Sequence, residues 1–158
     1  MTDVDVTTPL ALGSPVPAFT TRNQHGETVT SDDLRGRSSL IVFYPWAFSG
    51  ICTGELADLR SRADELTGLG TRLLAVSCDA MFTLRAYADA EDLPFELLTD
   101  HWPHGAIARA FGVFDERAGA ALRGSFVVDQ DGLVVWRVLH GIGEPRDIDA
   151  HLAALAAR

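Results

Sequence analysis

A buried strand that runs straight into a helix constrains this chain more than any other feature. Leu40-Ile41-Val42-Phe43-Tyr44 is an uninterrupted apolar run, the pattern of a core strand. Gly54-Glu55-Leu56-Ala57-Asp58-Leu59-Arg60 reads as a helix, and Pro45-Trp46-Ala47-Phe48-Ser49-Gly50-Ile51-Cys52 joins the two. Cys52 therefore falls in the first turn of a helix that starts where a core strand ends. Unpaired backbone N–H groups and the positive end of the helix dipole favour a thiolate at such a position. A proline, a hydroxyl three residues before the thiol and a cysteine at a helix start together describe a thiol built to react.

The rest of the chain alternates strand and helix. Residues 1–12 read as a flexible tail and 13–158 as a single domain. Phe19–Arg22 and Glu27–Thr30 flank Asn23-Gln24-His25-Gly26, a hairpin turn, and Ser31–Gly36 reads as a capped helical turn. Ile51, Leu56, Leu59, Ala63 and Leu66 recur at helical spacing, which predicts one helix from Gly50 to about Leu69, closed by Gly68 and Gly70. Further strands are expected at Thr71–Ser77 and Phe95–Leu98, and helices at Met81–Ala90 and Gly105–Phe111. Asp131-Gly132 separates the apolar runs Gly124–Asp129 and Leu133–Leu139, a hairpin signal, and an Ala/Leu helix from Ile148 closes the chain. This order predicts an α/β fold of the thioredoxin-like type, a mixed central sheet flanked by helices.

Composition narrows the chemistry. The formal charge of −9 disfavours nucleic acid and anionic membrane surfaces as partners. No run approaches the roughly 18 apolar residues of a membrane helix. The acidic start Met1-Thr2-Asp3-Val4-Asp5 does not resemble a secretory leader, so the expectation is a cytoplasmic protein with reduced thiols. All thirteen basic residues are Arg, which removes lysine Schiff bases and the phosphate-loop lysine. Two cysteines, Cys52 and Cys78, and five scattered histidines make neither a Cys-x-x-Cys pair nor a zinc pattern, and no metal or organic cofactor is expected.

A free thiol of pKa about 8.5 is roughly 3% ionised at pH 7, so lowering its pKa gains at most about 30-fold in reactive species. The remainder of any catalytic effect must come from groups that favour the transition state. Attack on a peroxide places the sulfur in line with one oxygen while the other leaves with negative charge. Ser49 is spaced to position the peroxide, Pro45 to shield the sulfur from water, and the helix-start N–H groups to meet the charge. Arg123, which begins the strand Arg123–Asp129, is the candidate arginine, because an Arg beside a core strand demands an anion.

Pro45-x-x-x-Ser49-x-x-Cys52 matches the peroxiredoxin active-site motif. Phe48-Ser49-Gly50-Ile51-Cys52-x-Gly54-Glu55-Leu56, Trp102-Pro103-His104-Gly105-Ala106 and Arg123-Gly124-x-Phe126-Val127-Val128-Asp129 resemble the one-cysteine, AhpE-like peroxiredoxins of the AhpC/TSA superfamily, over roughly residues 13–155. The resemblance implies a thiol-dependent peroxidase, an antioxidant oxidoreductase that reduces hydrogen peroxide, organic hydroperoxides or peroxynitrite. Cys52 would become a sulfenic acid, Arg123 would be the active-site arginine, and Glu55 would help anchor the arginines. It also implies recycling by an external thiol or redoxin, either mycothiol with a mycoredoxin or a thioredoxin. A homodimer or higher homo-oligomer would use the aromatic segments around Trp46, Phe48 and Trp102.

Competing readings attach to the same residues. Cys78, at the end of a core strand, could be a resolving cysteine in a two-cysteine mechanism or a strand-end thiol without redox role. His101 and His104 could serve a metal or a proton shuttle, or simply pack a loop. A thiol–disulfide oxidoreductase lacks its second cysteine here. A non-enzymatic redox sensor or chaperone-like module would share the chemistry at Cys52 but would not turn over.

Overall fold

The computed structural model describes residues 8–141 and 146–157. The chain opens with a small antiparallel ribbon, β1 (Thr20–Arg22) and β2 (Thr28–Thr30). Its turn is wired by Asn23, whose side-chain oxygen accepts from the N–H groups of His25 (2.9 Å) and Glu27 (3.1 Å). A 3-10 turn at Ser31–Leu34 follows, with the Asp33 carboxylate accepting from Thr30 N–H at 2.8 Å.

The main sheet has five strands in the order β5-β4-β3-β8-β9. Here β3 is Ser39–Phe43, β4 Arg72–Ser77, β5 Glu96–Thr99, β8 Arg123–Val128 and β9 Val134–His140. β3 pairs parallel with β4 and antiparallel with β8, and it is buried throughout. The parallel half needs crossovers, and α1 (Gly50–Ser61), α2 (Ala63–Gly68) and α3 (Met81–Glu91) supply them. A short α4 (Ala106–Ala110), a two-strand ribbon of β6 (Phe114–Asp115) and β7 (Ala120–Ala121), and the closing α5 (Ile148–Ala156) complete the chain.

Alternation along the strands sends side chains into two cores. Leu40, Val42, Tyr44, Leu73, Ala75, Leu97 and Val127 pack with Cys52, Leu56, Leu59 and the apolar faces of α2, α3 and α5. Ile41, Phe43, Leu74, Val76, Leu98, Phe126 and Val128 pack on the other face with Leu34, Ile107, Phe111 and Cys78. The buried Asp100 holds α4 in place, accepting from Ile107 N–H and Ala108 N–H, both at 2.9 Å. Burial pushes its carboxyl upward and these two bonds oppose the shift.

The expected α/β thioredoxin-like fold is present, and three details differ from the sequence reading. The single helix expected from Gly50 to Leu69 is two, because at Arg62 the backbone leaves helical angles and its N–H tightens onto Leu59 O at 3.2 Å. The Arg62 side chain bridges Glu65 and Asp149, which ties the break to α5. The β6–β7 ribbon was not expected, since two-residue strands carry no readable period. Of the expected tail, residues 1–7 lie outside the described residues, while Leu10 N–H donates to Phe111 O at 2.9 Å and so docks the segment on the second core.

Gly105 sits before α4 at φ +74°, and a Cβ there would collide with the Phe114 ring. Gly105→Ala is expected to destabilise the fold by about 2–4 kcal/mol. The check is a shifted urea midpoint with an unchanged slope.

Candidate active site

Cys52 is the third residue of α1 and is fully buried in the core shared by Tyr44 and Leu56. Pro45, also buried, ends the strand run and starts the turn into α1. Phe48 adopts a left-handed backbone (φ +68°), a conformation that costs a non-glycine residue about 1–2 kcal/mol. Its ring rests on Tyr87 at 4.8 Å between centroids, so packing holds the bend. The loop is tied down a second time by Asp79, whose carboxylate accepts from Ala47 N–H at 2.9 Å and from the Ser77 hydroxyl at 2.7 Å.

Ser49 is the N-cap of α1, and its carbonyl accepts from Thr53 N–H at 2.9 Å. Its side chain does not cap the helix, and the buried hydroxyl has no hydrogen-bond partner among the described residues. A buried hydroxyl without a partner, one turn before a buried thiol, is an exception to the usual satisfaction of buried polar groups. Tyr87 donates to or accepts from Thr53 at 3.1 Å, on the same turn. Burial, reinforced by neighbouring charge that includes Cys52, keeps the Tyr44 phenol protonated well above its ordinary range.

One helical turn after Cys52, Glu55 points the same way. It is 4% exposed, and its Oε1 accepts from both Arg123 and Arg146, the latter at 2.8 Å. Oε2 accepts from the Arg146 backbone N–H at 2.6 Å. Arg123 is 2% exposed and Arg146 is 8% exposed. Two guanidinium groups share one carboxylate in a buried site. Burial pulls the Arg146 guanidinium down to about 10, and Arg123 pushes the same way, whereas Glu55 and Cys52 oppose the shift. Arg146 is still charged at neutral pH.

The structure brings Pro45, Ser49, Cys52, Glu55 and Arg123 into one region and leaves the other candidates outside it. Cys78 belongs to the core on the opposite face of the sheet from Cys52. Burial pushes its thiol up to about 12, with Asp100 and Asp79 adding to the shift, so it holds its proton. His104 bonds Gly119 O at 2.6 Å and packs on Phe114, while His101 lies on the exposed loop 6.4 Å away between ring centroids. No group of three or more metal-ligating side chains occurs among the described residues.

A model described as the AhpC/TSA family matches residues 12–137. Alkyl hydroperoxide reductase E of Mycobacterium tuberculosis is 42% identical over 149 residues, which are 94% of this chain and 97% of that protein. The chain belongs to the AhpC/TSA family, the peroxiredoxins. Alkyl hydroperoxide reductase C of Staphylococcus haemolyticus is 37% identical over 134 residues, 82% of this chain and 70% of that protein. Among solved structures, that of Enterococcus faecalis AhpC superposes with a TM-score of 0.87 at 29% identity, covering 92% of this chain and 90% of that one. This peroxiredoxin is a thiol-dependent peroxidase similar to alkyl hydroperoxide reductase E.

Sequence reasoning missed Arg146, Asp79, Ser125 and His151. Arg146 stands alone before the Asp147 N-cap, with no period or motif to mark it. His151 did carry a signal: Ile148, His151, Leu152 and Leu155 form the buried face of α5, and a histidine in that row requires partners.

Glu55→Gln would leave two arginines without their shared anion. The expected loss is about 3–5 kcal/mol of stability. Chemical denaturation of the reduced protein checks it.

Proposed function

We propose that Cys52 is the peroxidatic cysteine of this peroxidase, working with Arg123, Ser49, Pro45 and Glu55. The observation that carries this reading is the buried Arg123–Glu55–Arg146 cluster, whose carboxylate lies one helical turn after the buried helix-start thiol. The Cys52 thiolate attacks one peroxide oxygen. A sulfur–oxygen bond forms as the oxygen–oxygen bond breaks, the sulfur gives up two electrons, and hydroxide or alkoxide leaves and takes up a proton. Ser49 donates to the peroxide, and the guanidinium groups and α1 N–H groups receive the charge that develops on the leaving oxygen. Pro45 covers the sulfur against water.

The product, a Cys52 sulfenic acid, needs two reducing equivalents. An external thiol condenses with it, releasing water and forming a mixed disulfide, and a second thiol frees Cys52. Mycothiol with a mycoredoxin, or a thioredoxin, fits this role. The placement of Cys78 behind the sheet, with its proton firmly held, favours this one-cysteine cycle over a Cys52–Cys78 disulfide. Hydrogen peroxide, organic hydroperoxides and peroxynitrite all present the required weak bond.

Trp46, Phe48, Ile51 and Trp102 are exposed apolar side chains, at 43%, 54%, 42% and 85%. Trp46, Phe48 and Ile51 share the turn into α1, and their exposure together with that of Trp102 supports a homodimer or a higher homo-oligomer formed through these side chains. No helix among the described residues is long and apolar enough to cross a membrane, and we place the protein in the cytoplasm, where small thiols are abundant.

One equivalent of hydrogen peroxide should add one oxygen to the intact mass of the reduced protein and leave Cys52→Ser unchanged. Loss of two hydrogens, abolished by Cys78→Ser, would establish Cys78 as resolving instead. Arg123→Met should slow peroxide oxidation in stopped-flow measurements by well over the roughly 30-fold that ionisation can explain. A loss of only a few-fold would place the catalytic arginine elsewhere.

A further inference from the structure

The arginine cluster does not end at Arg146. Its Nε–H donates to the Ser125 hydroxyl oxygen at 3.0 Å, and Ser125 lies 2.7 Å from Nε2 of His151. The other ring nitrogen of His151, Nδ1, lies 2.6 Å from the backbone carbonyl oxygen of Asp147. That carbonyl only accepts, so Nδ1 carries the proton. Nε2 is then a lone pair, the Ser125 O–H must donate to it, and the Ser125 oxygen is free to receive Arg146. Every hydrogen bond in the chain from Asp147 to Glu55 has one permitted direction. The chain continues through the Glu55 carboxylate to Arg123.

We propose that His151 is a positioning residue for peroxide reduction: as a neutral acceptor it orients Ser125, Ser125 orients Arg146, and Arg146 sets the Glu55 carboxylate that holds Arg123. The proposal rests on the reading of Cys52 and Arg123 as the reacting thiol and its arginine. Neither His151 nor Ser125 touches the reacting atoms.

The surroundings of His151 enforce the neutral form. The residue is 1% exposed, and the Trp136 ring packs against it at 5.0 Å between centroids. The charged or titratable groups that face it are Arg146 and Asp147 ahead of α5 and His140 on β9. Burial, helped by Arg146 and His140 and opposed by the Asp147 contacts, pulls its pKa down to about 4. A protonated ring would add a third cation beside two arginines and would turn a donor toward Ser125. The hydroxyl could then no longer donate along the chain.

Pre-organised donors lose catalytic effect when displaced by fractions of an ångström. The test compares the second-order rate of Cys52 oxidation by hydrogen peroxide in reduced wild type, His151→Leu, His151→Gln and Ser125→Ala, with Cys52→Ser as the control. His151→Leu fills the space but cannot accept, and should slow oxidation by about ten- to a hundredfold at neutral pH. His151→Gln, whose amide oxygen accepts from Ser125, should recover to within about threefold of wild type. Ser125→Ala should match His151→Leu, and the double variant should be no slower than either, because both break one chain.

Unchanged rates in His151→Leu and Ser125→Ala would overturn the proposal. So would equal losses in His151→Leu and His151→Gln, which would make His151 a packing residue. If His151→Leu does not fold, an unaltered rate in Ser125→Ala suffices to reject it. Peroxide consumption surviving in Cys52→Ser would instead overturn the underlying assignment of the thiol.

Discussion

One carboxylate holds this site together. Glu55 takes hydrogen bonds from Arg123 and from both the side chain and the backbone of Arg146, and all three residues are buried. Without it, two like charges would face each other in a low-dielectric interior, an arrangement no packing could hold. With it, the two arginines are held in a fixed geometry.

The fold supplies the three contributors from distant stretches of chain. Glu55 comes from the first helix after the central strand, one turn beyond Cys52. Arg123 comes from the adjacent antiparallel strand β8, and Arg146 from the segment that leads into α5. The bend at Phe48 and the clamp from Asp79 to Ala47 hold the strand-to-helix junction against this cluster. Strain at the junction and buried charged groups beneath it are both features that a stable core alone would not retain. Their presence together is a sign of function.

The parts of the site that share a local motif could be read from the chain directly. Pro45, Ser49, Cys52 and Glu55 lie within eleven consecutive positions, and turn geometry plus helical spacing relates them without knowledge of the tertiary fold. An arginine opening an apolar strand needs an anion, and Arg123 meets Glu55. Arg146, Ser125 and His151 are joined only by long-range contacts, and no periodicity encodes which carboxylate or hydroxyl an isolated arginine will meet. The split of the first long helix at Arg62 is of the same kind, since the Arg62 side chain there meets Asp149 of α5, far along the chain. Cys78 could not be placed on either face by sequence, because a strand-end residue may follow or break the alternation, and the structure puts it behind the sheet from Cys52.

The central claim is that Cys52 lies among groups that stabilise the transition state of peroxide reduction. The direct measurement is the rate of hydrogen peroxide reduction by the fully reduced protein, expressed per thiolate, beside that of free cysteine measured per thiolate in the same buffer. The account predicts a protein rate larger by several orders of magnitude, since transition-state stabilisation is added to ionisation. Equal rates per thiolate would contradict it, leaving Cys52 as an ordinary thiol in an unusual place.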